Sequence, residues 1–238
     1  IGSIFATTIA TGSSELPYGV TRLLMGLVFS LGLILVIVGG AELFTGNILI
    51  VIAWANKKVS TRALLRNWGI VYLGNFIGAV LTALIMFLGK QYTFASGAVG
   101  TTAVSIAISK THLGFIQAIA LGTLCNGLVC LAVWLTYSAR STTDKIMAIL
   151  FPIAAFVAAG FEHSVANMYF IPLGLFIKQF DPAFTASTNL AAADLTWGTF
   201  LLKNLLPVTI GNILGGAVLV ALVYWFIFLR GEKKQSAA

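Results

Sequence analysis

The chain has 238 residues, of which 59% are hydrophobic and 9% charged, with a formal net charge of +7. A soluble globular domain carries about a quarter charged residues, so this composition excludes one and indicates a polytopic membrane protein. Positive-inside topology accounts for the basic excess, and there is no Arg-rich or aromatic-interleaved patch to suggest nucleic acid as a partner.

Residues 1–12 read as the remainder of a first helix rather than a signal peptide, because no charged region precedes the apolar stretch. Gly12-Ser13-Ser14-Glu15-Leu16-Pro17 is a turn. The second segment covers about 18–56 and has no Lys or Arg between Arg22 and Lys57. As one straight helix that run would be ~50 Å long at ~1.5 Å per residue, against a bilayer core of ~30 Å. Glu42 stands near its middle, where a carboxylate is costly, beside the pair Gly39-Gly40. This predicts a helix interrupted inside the membrane at 39–46, with its freed backbone buried in protein or lining a water-filled cavity. Asn56-Lys57-Lys58 opens a short basic loop, and a third helix spans about 63–88. Residues 90–112, rich in Gly, Ser and Thr, read as a polar loop carrying Lys110 and His112. A fourth helix covers about 113–137. The fifth segment runs over about 145–178 and is interrupted at 160–165. Residues 179–196 read as a second polar loop, 197–229 as the last helix, and Arg230-Gly231-Glu232-Lys233-Lys234 as a basic tail.

The second half repeats the first. Gly160-Phe161-Glu162-His163-Ser164-Val165-Ala166-Asn167 has the Gly-x-Glu-x4-Asn spacing of Gly40 to Asn47. Arg66-Asn67, followed by Gly74-Asn75 and Gly78, recurs as Lys203-Asn204, Gly211-Asn212 and Gly215. Small residues favoured by tight helix packing could produce one such match. Two motifs in the same order point to an internal duplication within a single transmembrane channel domain, 1–238, with repeats at about 1–105 and 106–238. The expected fold is an all-α membrane protein of six transmembrane helices, two of them broken. An odd number of spans per repeat inserts the halves with opposite orientation, which makes an inverted 3+3 repeat. Gly74/Gly78 and Gly211/Gly215 are expected as close helix-packing sites inside the chain.

Charge gives the orientation. Lys57, Lys58, Arg62, Arg66, Arg140, Lys145, Arg230, Lys233 and Lys234 fall on one side, and Arg22, Lys90, Lys110, Lys178 and Lys203 on the other. The richer side, with the C-terminus, is expected to be cytoplasmic. Trp54, Trp68, Trp134, Trp197 and Trp225 stand near predicted span ends, as interfacial anchors do.

Each interrupted segment should resume as a half-helix, with Thr45 and Ser164 as its N-cap. Half-helix N-termini present unpaired N–H groups and a positive dipole end, a setting that favours a small anion. Glu42 and Glu162 are expected to accept hydrogen bonds from backbone N–H groups and hold the interruptions in shape, with Asn47 and Asn167 beside them. A proton relay is the alternative. His163 is the only histidine within a predicted span, and imidazole suits proton exchange near neutral pH. No second His or Cys accompanies it, so no metal is expected. No cofactor is implied, and no nucleophile–base pair within the spans supports an enzyme. Cys125 and Cys130 read as packing residues. Asn126 is open between lining a pore and tying helices together.

At Ala41-Glu42-Leu43-Phe44-Thr45-Gly46-Asn47, at Gly160 to Met168 and at Cys125-Asn126-Gly127-Leu128-Val129-Cys130 the sequence resembles the formate–nitrite transporter family. Phe29-Ser30-Leu31-Gly32-Leu33 resembles its formate-conducting members. The resemblance covers nearly the whole chain. It implies an aquaporin-like fold with one pore per protomer, a homo-oligomer of five, and a bacterial inner-membrane location. It also implies roles for residues. Leu43, Phe44 and Thr45 belong to the first pore loop, His163 is the central histidine, and Asn126 lies beside the pore. Phe29, Leu33, Val129 and Phe156 form apolar constrictions, and Lys110 draws anions into the outer vestibule. The expected function is a channel or proton-linked transporter for small monovalent anions, formate first. Nitrite or hydrosulfide are rivals within the family, and an aquaporin-type neutral-solute pore is a rival outside it.

Overall fold

The computed structural model describes residues 1–12 and 15–230, and all of its regular elements are helices. They are α1 (Gly2–Thr11), α2 (Tyr18–Phe29), α3 (Leu31–Gly39), α4 (Phe44–Asn47), α5 (Ile50–Ala55) and α6 (Thr61–Leu88). There follow α7 (Ala98–Thr111), α8 (Phe115–Thr136), α9 (Thr142–Ala158), α10 (Ser164–Phe180), α11 (Pro182–Ser187) and α12 (Trp197–Leu229). Four stretches are long and apolar enough to cross a membrane: Tyr18–Gly39, Thr61–Leu88, Phe115–Thr136 and Trp197–Leu229. The basic tail residues Lys233 and Lys234 lie outside the described residues.

The helices start and stop for local reasons. Ser60 caps α6 by accepting from the Ala63 N–H at 3.2 Å. Ser141 and Asp144 cap α9 reciprocally. α3 ends at Gly39, and α9 ends at Ala158. Beyond each end a glycine turns the chain into the left-handed region, Gly40 at φ 76° and Gly160 at φ 77°. A side chain is disfavoured there, which explains both glycines. The Gly40 and Ala41 N–H groups both return to the Val36 carbonyl at 3.0 Å. Gly160 and Phe161 return to Val157 and Phe156 at 3.1 and 3.0 Å. The non-helical stretches are shorter than the sequence predicts, because Phe44 and Ser164 already begin new helices.

α10 forms the centre. Every residue from 166 to 177 is buried, with α6 and α7 packed on it. α8 lies between α9 and α12. Gly211 and Gly215 allow the last contact, since a Cβ on either would collide with the Ile119 or Thr123 carbonyl of α8. The expectation for Gly74 and Gly78 fails within the described residues. No atom lies within 4 Å of where a Cβ would stand on either, because both face a cavity rather than a helix.

Residues 90–112 are not a loop. They contain α7, whose Val99, Ala103, Val104, Ala107 and Thr111 recur at helical spacing and are buried. Ser and Thr dilute the hydrophobicity of this stretch without disturbing its period. Residues 179–196 likewise contain α11, capped by Asp181, which accepts from the Phe184 N–H at 3.0 Å.

Candidate anion pathway

Leu43, Phe44, Thr45, His163 and Ser164 stand at the starts of α4 and α10. In neither does the expected hydroxyl act as cap. Leu43 and His163 occupy the capping positions, with extended backbones at φ −127° and −118°. Thr45 and Ser164 already lie inside the helices, because the chain becomes helical earlier than the glycine spacing suggests.

Asparagines from other helices complete these turns. The Phe44 N–H donates to Asn75 Oδ1 at 2.9 Å, and the Ser164 N–H donates to Asn212 Oδ1 at 2.9 Å. Asn75 Nδ2 donates to the Glu42 carbonyl and Asn212 Nδ2 to the Glu162 carbonyl, each at 3.0 Å. Each asparagine thus pairs a donor and an acceptor that the turn would otherwise strand.

The glutamates are held by side-chain amides, not by the backbone N–H groups expected for them. Asn47 donates to Glu42 and to Asn67. Asn167 donates to Glu162 Oε2 at 2.7 Å and to Asn204 Oδ1 at 2.8 Å. The reason is directional: side chains near a helix start lean back toward its N-terminus, so an Asn five residues on reaches the Glu. The two sites differ: Glu42 is exposed, whereas Glu162 is buried and accepts from Asn204 as well. Glu162 Oε1 also accepts from Lys110 Nζ at 2.7 Å, forming an ion pair carried in by α7.

His163 faces Thr45 across the centre, with Nε2 2.9 Å from Oγ1. Its Nδ1 accepts the Ala166 backbone N–H at 3.1 Å. A backbone N–H can only donate, so Nδ1 carries no proton and Nε2 does. The ring is a neutral donor aimed at the Thr45 hydroxyl. A second proton can enter only at Nδ1, displacing the Ala166 N–H. Thr45 is fully buried and is absent from the linings of the three cavities described next.

Three cavities adjoin these residues. One of about 640 Å³ opens beside the basic loop and is lined by Leu33, Glu42, Leu43, Asn47 and Lys58. A middle one of about 420 Å³ shares Leu33, Glu42 and Leu43 with it and adds Val129, Phe156 and His163. A third of about 310 Å³ is lined by Arg22, Lys110, Glu162, His163 and Asn167, and shares Phe29, Phe156 and His163 with the middle one. Phe29 meets Phe156 edge-on at 5.6 Å between ring centroids, and His163 stacks on Phe156 at 6.0 Å. Leu33 and Leu43 thus stand between the first two cavities, and Phe29, Phe156 and the imidazole between the second and third.

Phe44 and Asn126, like Thr45, line none of these three cavities. Phe44 is buried against Tyr72 and Trp68, at 4.8 and 6.0 Å between centroids. Asn126 is fully buried and donates to the Asn212 carbonyl at 2.7 Å, tying α8 to α12. Asn75, Asn212, Asn67 and Asn204 are missed as site residues. Their signal was the second repeated motif, which marked a duplication but not a task.

The family model described as formate/nitrite transporter matches residues 1–226. The chain is 47% identical over 234 residues to the formate channel FocA of Escherichia coli (strain K12), covering 97% of this chain and 82% of that protein. It is 43% identical over 221 residues to the formate channel FocA of Haemophilus influenzae, covering 91% of this chain and 78% of that protein. A solved structure described as a pentameric formate channel with formate bound superposes with a TM-score of 0.89 at 48% identity, covering 97% of this chain and 92% of that one.

Proposed function

The chain belongs to the formate/nitrite transporter family, and from that premise we propose that it is a multi-pass channel for small monovalent anions, formate first. The carrying observation is the His163–Thr45 contact of 2.9 Å at the neck between two cavities. An ion entering the Phe29–Phe156 neck must shed water, at a cost that excludes ions without a replacement partner. The His163 imidazole lines both cavities there and is the hydrogen-bonding partner, with the buried Thr45 hydroxyl orienting it. An anion beside the ring also attracts a second proton, so occupancy and protonation strengthen each other by linkage. A weak acid that takes up this proton leaves as a neutral molecule and escapes part of the desolvation cost.

The architecture proposed with this function is one domain, 1–238, built as an inverted 3+3 repeat. α3 with α4–α5, and α9 with α10, are read as broken spans. The recurrence of the Glu–Asn and N–H–Asn bonds at corresponding positions supports the reading. Leu33, Leu43, Phe29, Phe156 and Val129 form the apolar path, and Glu42, Glu162, Asn47 and Asn167 hold the two turns. Asn126 acts through Asn212 and helix packing rather than by touching the anion. Phe44 supports the first turn from behind. The assembly is a homopentamer in a bacterial inner membrane, with the C-terminus on the cytoplasmic side and each protomer holding its own pore. Its exposed aliphatic stripe, including Leu73, Ile77, Leu81 and Ile85 on α6, is suited to lipid or subunit contact. The chain does not act as an enzyme in this account.

Proteoliposomes holding the protein test the function, with uptake of formate, nitrite and hydrosulfide followed alongside internal pH. Formate flux above that of empty vesicles is the expected result. Glycerol flux without anion flux would overturn the reading in favour of a neutral-solute pore.

A further inference from the structure

The cavity outside the Phe29–Phe156 neck holds more than one cation. Among the described residues that line it, Arg22, Lys110 and Glu162 carry formal charge, and His163 is neutral in the tautomer its bonds require. Lys110 is committed, because its Nζ lies 2.7 Å from Glu162 Oε1. Two opposite charges at contact act at a distance as a dipole, and little of their field reaches an approaching ion. That leaves the charge of Arg22.

Arg22 reaches the cavity from α2. Its guanidinium donates to the Val157 carbonyl and, at 3.4 Å, to the Ala158 carbonyl, the last residues of α9. Both carbonyls lie at the helix end, where the Val157 one also accepts the Gly160 N–H at 3.1 Å. They fix the side chain, and its Nη2 stands 3.2 Å from where a Cβ on Gly160 would lie. Carbonyls are neutral, so they orient the guanidinium without cancelling its charge, and the α9 dipole offsets only part of it.

We propose that Arg22, not Lys110, is the residue that recruits small anions into the vestibule beside His163. Lys110 keeps Glu162 compensated and so prevents a bare carboxylate from repelling the same anions. The inference rests on the anion-channel reading above.

Proteoliposomes containing the full chain test it, with formate uptake measured over a range of concentrations. Ionic strength is set at about 10 mM and at about 150 mM with an impermeant bulky salt, which shortens the screening length from ~30 to ~8 Å. Arg22→Gln is expected to raise the half-saturating formate concentration about threefold or more at low ionic strength. The gap should close at high ionic strength, with the maximal rate little changed. Arg22→Lys keeps the charge and should keep the low-salt half-saturation near wild type. The double variant Lys110→Gln/Glu162→Gln removes a neutral pair, so its salt dependence should follow wild type whatever its absolute rate. Arg22→Gln with wild-type half-saturation at both ionic strengths would overturn the proposal. So would equal losses of maximal rate in Arg22→Gln and Arg22→Lys without salt dependence, the signature of a purely capping role. If Arg22→Gln does not assemble, loss of salt dependence in the double variant alone also overturns it. Absence of wild-type formate flux at either ionic strength would instead sink the channel reading itself.

Discussion

His163 Nε2 and Thr45 Oγ1 stand 2.9 Å apart although 118 residues separate them. The contact joins the starts of two helices, α4 at Phe44 and α10 at Ser164. Ala166 fixes the imidazole proton on Nε2, so the hydroxyl is the acceptor and keeps its own proton for another partner. Thr45→Val keeps the shape and removes that acceptor. Leaving a buried donor unpaired costs about 1–3 kcal/mol. Formate flux should fall severalfold while the protein still assembles, and Thr45→Ser should restore it. Wild-type flux in Thr45→Val would remove the hydroxyl from the pathway.

Asn212 serves both sides of the second turn. It accepts from the Ser164 N–H and donates to the carbonyls of Glu162 and Gly122. Asn212→Leu strands these groups, at about 1–3 kcal/mol for each one left buried and unpaired. The thermal midpoint in detergent should drop by several degrees. Asn75→Leu should cost less, since Asn75 is only half-buried and Glu42 is exposed in the protomer.

The Lys110–Glu162 pair makes a different test. Removing one partner of a buried pair costs about 3–5 kcal/mol, and removing both can be nearly neutral. Lys110→Met should therefore destabilise the protein more than Lys110→Met/Glu162→Gln, at the low end of that range because Lys110 is partly exposed. Comparison of unfolding midpoints decides it. A double variant no more stable than the single would show that the pair is not the coupled unit.

Gly215 should tolerate nothing larger. A Cβ there meets the Thr123 carbonyl, which is backbone and cannot swing aside. Gly215→Leu should force α8 and α12 apart, break the Asn126–Asn212 bond, and abolish assembly as read by size-exclusion chromatography. A normally assembled Gly215→Leu protein would mean that the helices can separate without loss.

Much of this was legible before any coordinates. The Gly-x-Glu-x4-Asn spacing located both turns, because each is built from a left-handed glycine and an Asn that reaches back to the Glu. α7 was not legible as a helix, since its Ser and Thr residues make a buried amphipathic stretch look like a loop. The asparagines of the second motif were visible, but which turn each one serves depends on how α6 and α12 pack. Arg22 was counted only for charge, because its carbonyl partners lie 135 and 136 residues away. The partners of Glu42 and Glu162 were wrongly expected on the backbone, since that choice is set by side-chain direction in three dimensions.

The measurement closest to the central claim is formate flux as a function of pH in proteoliposomes carrying His163→Phe. The account predicts a correctly assembled protein in which pH dependence is abolished, with residual anion flux that persists or rises because no titrating group remains at the neck. A correctly assembled His163→Phe protein with the wild-type pH profile would contradict it and take His163 out of the mechanism.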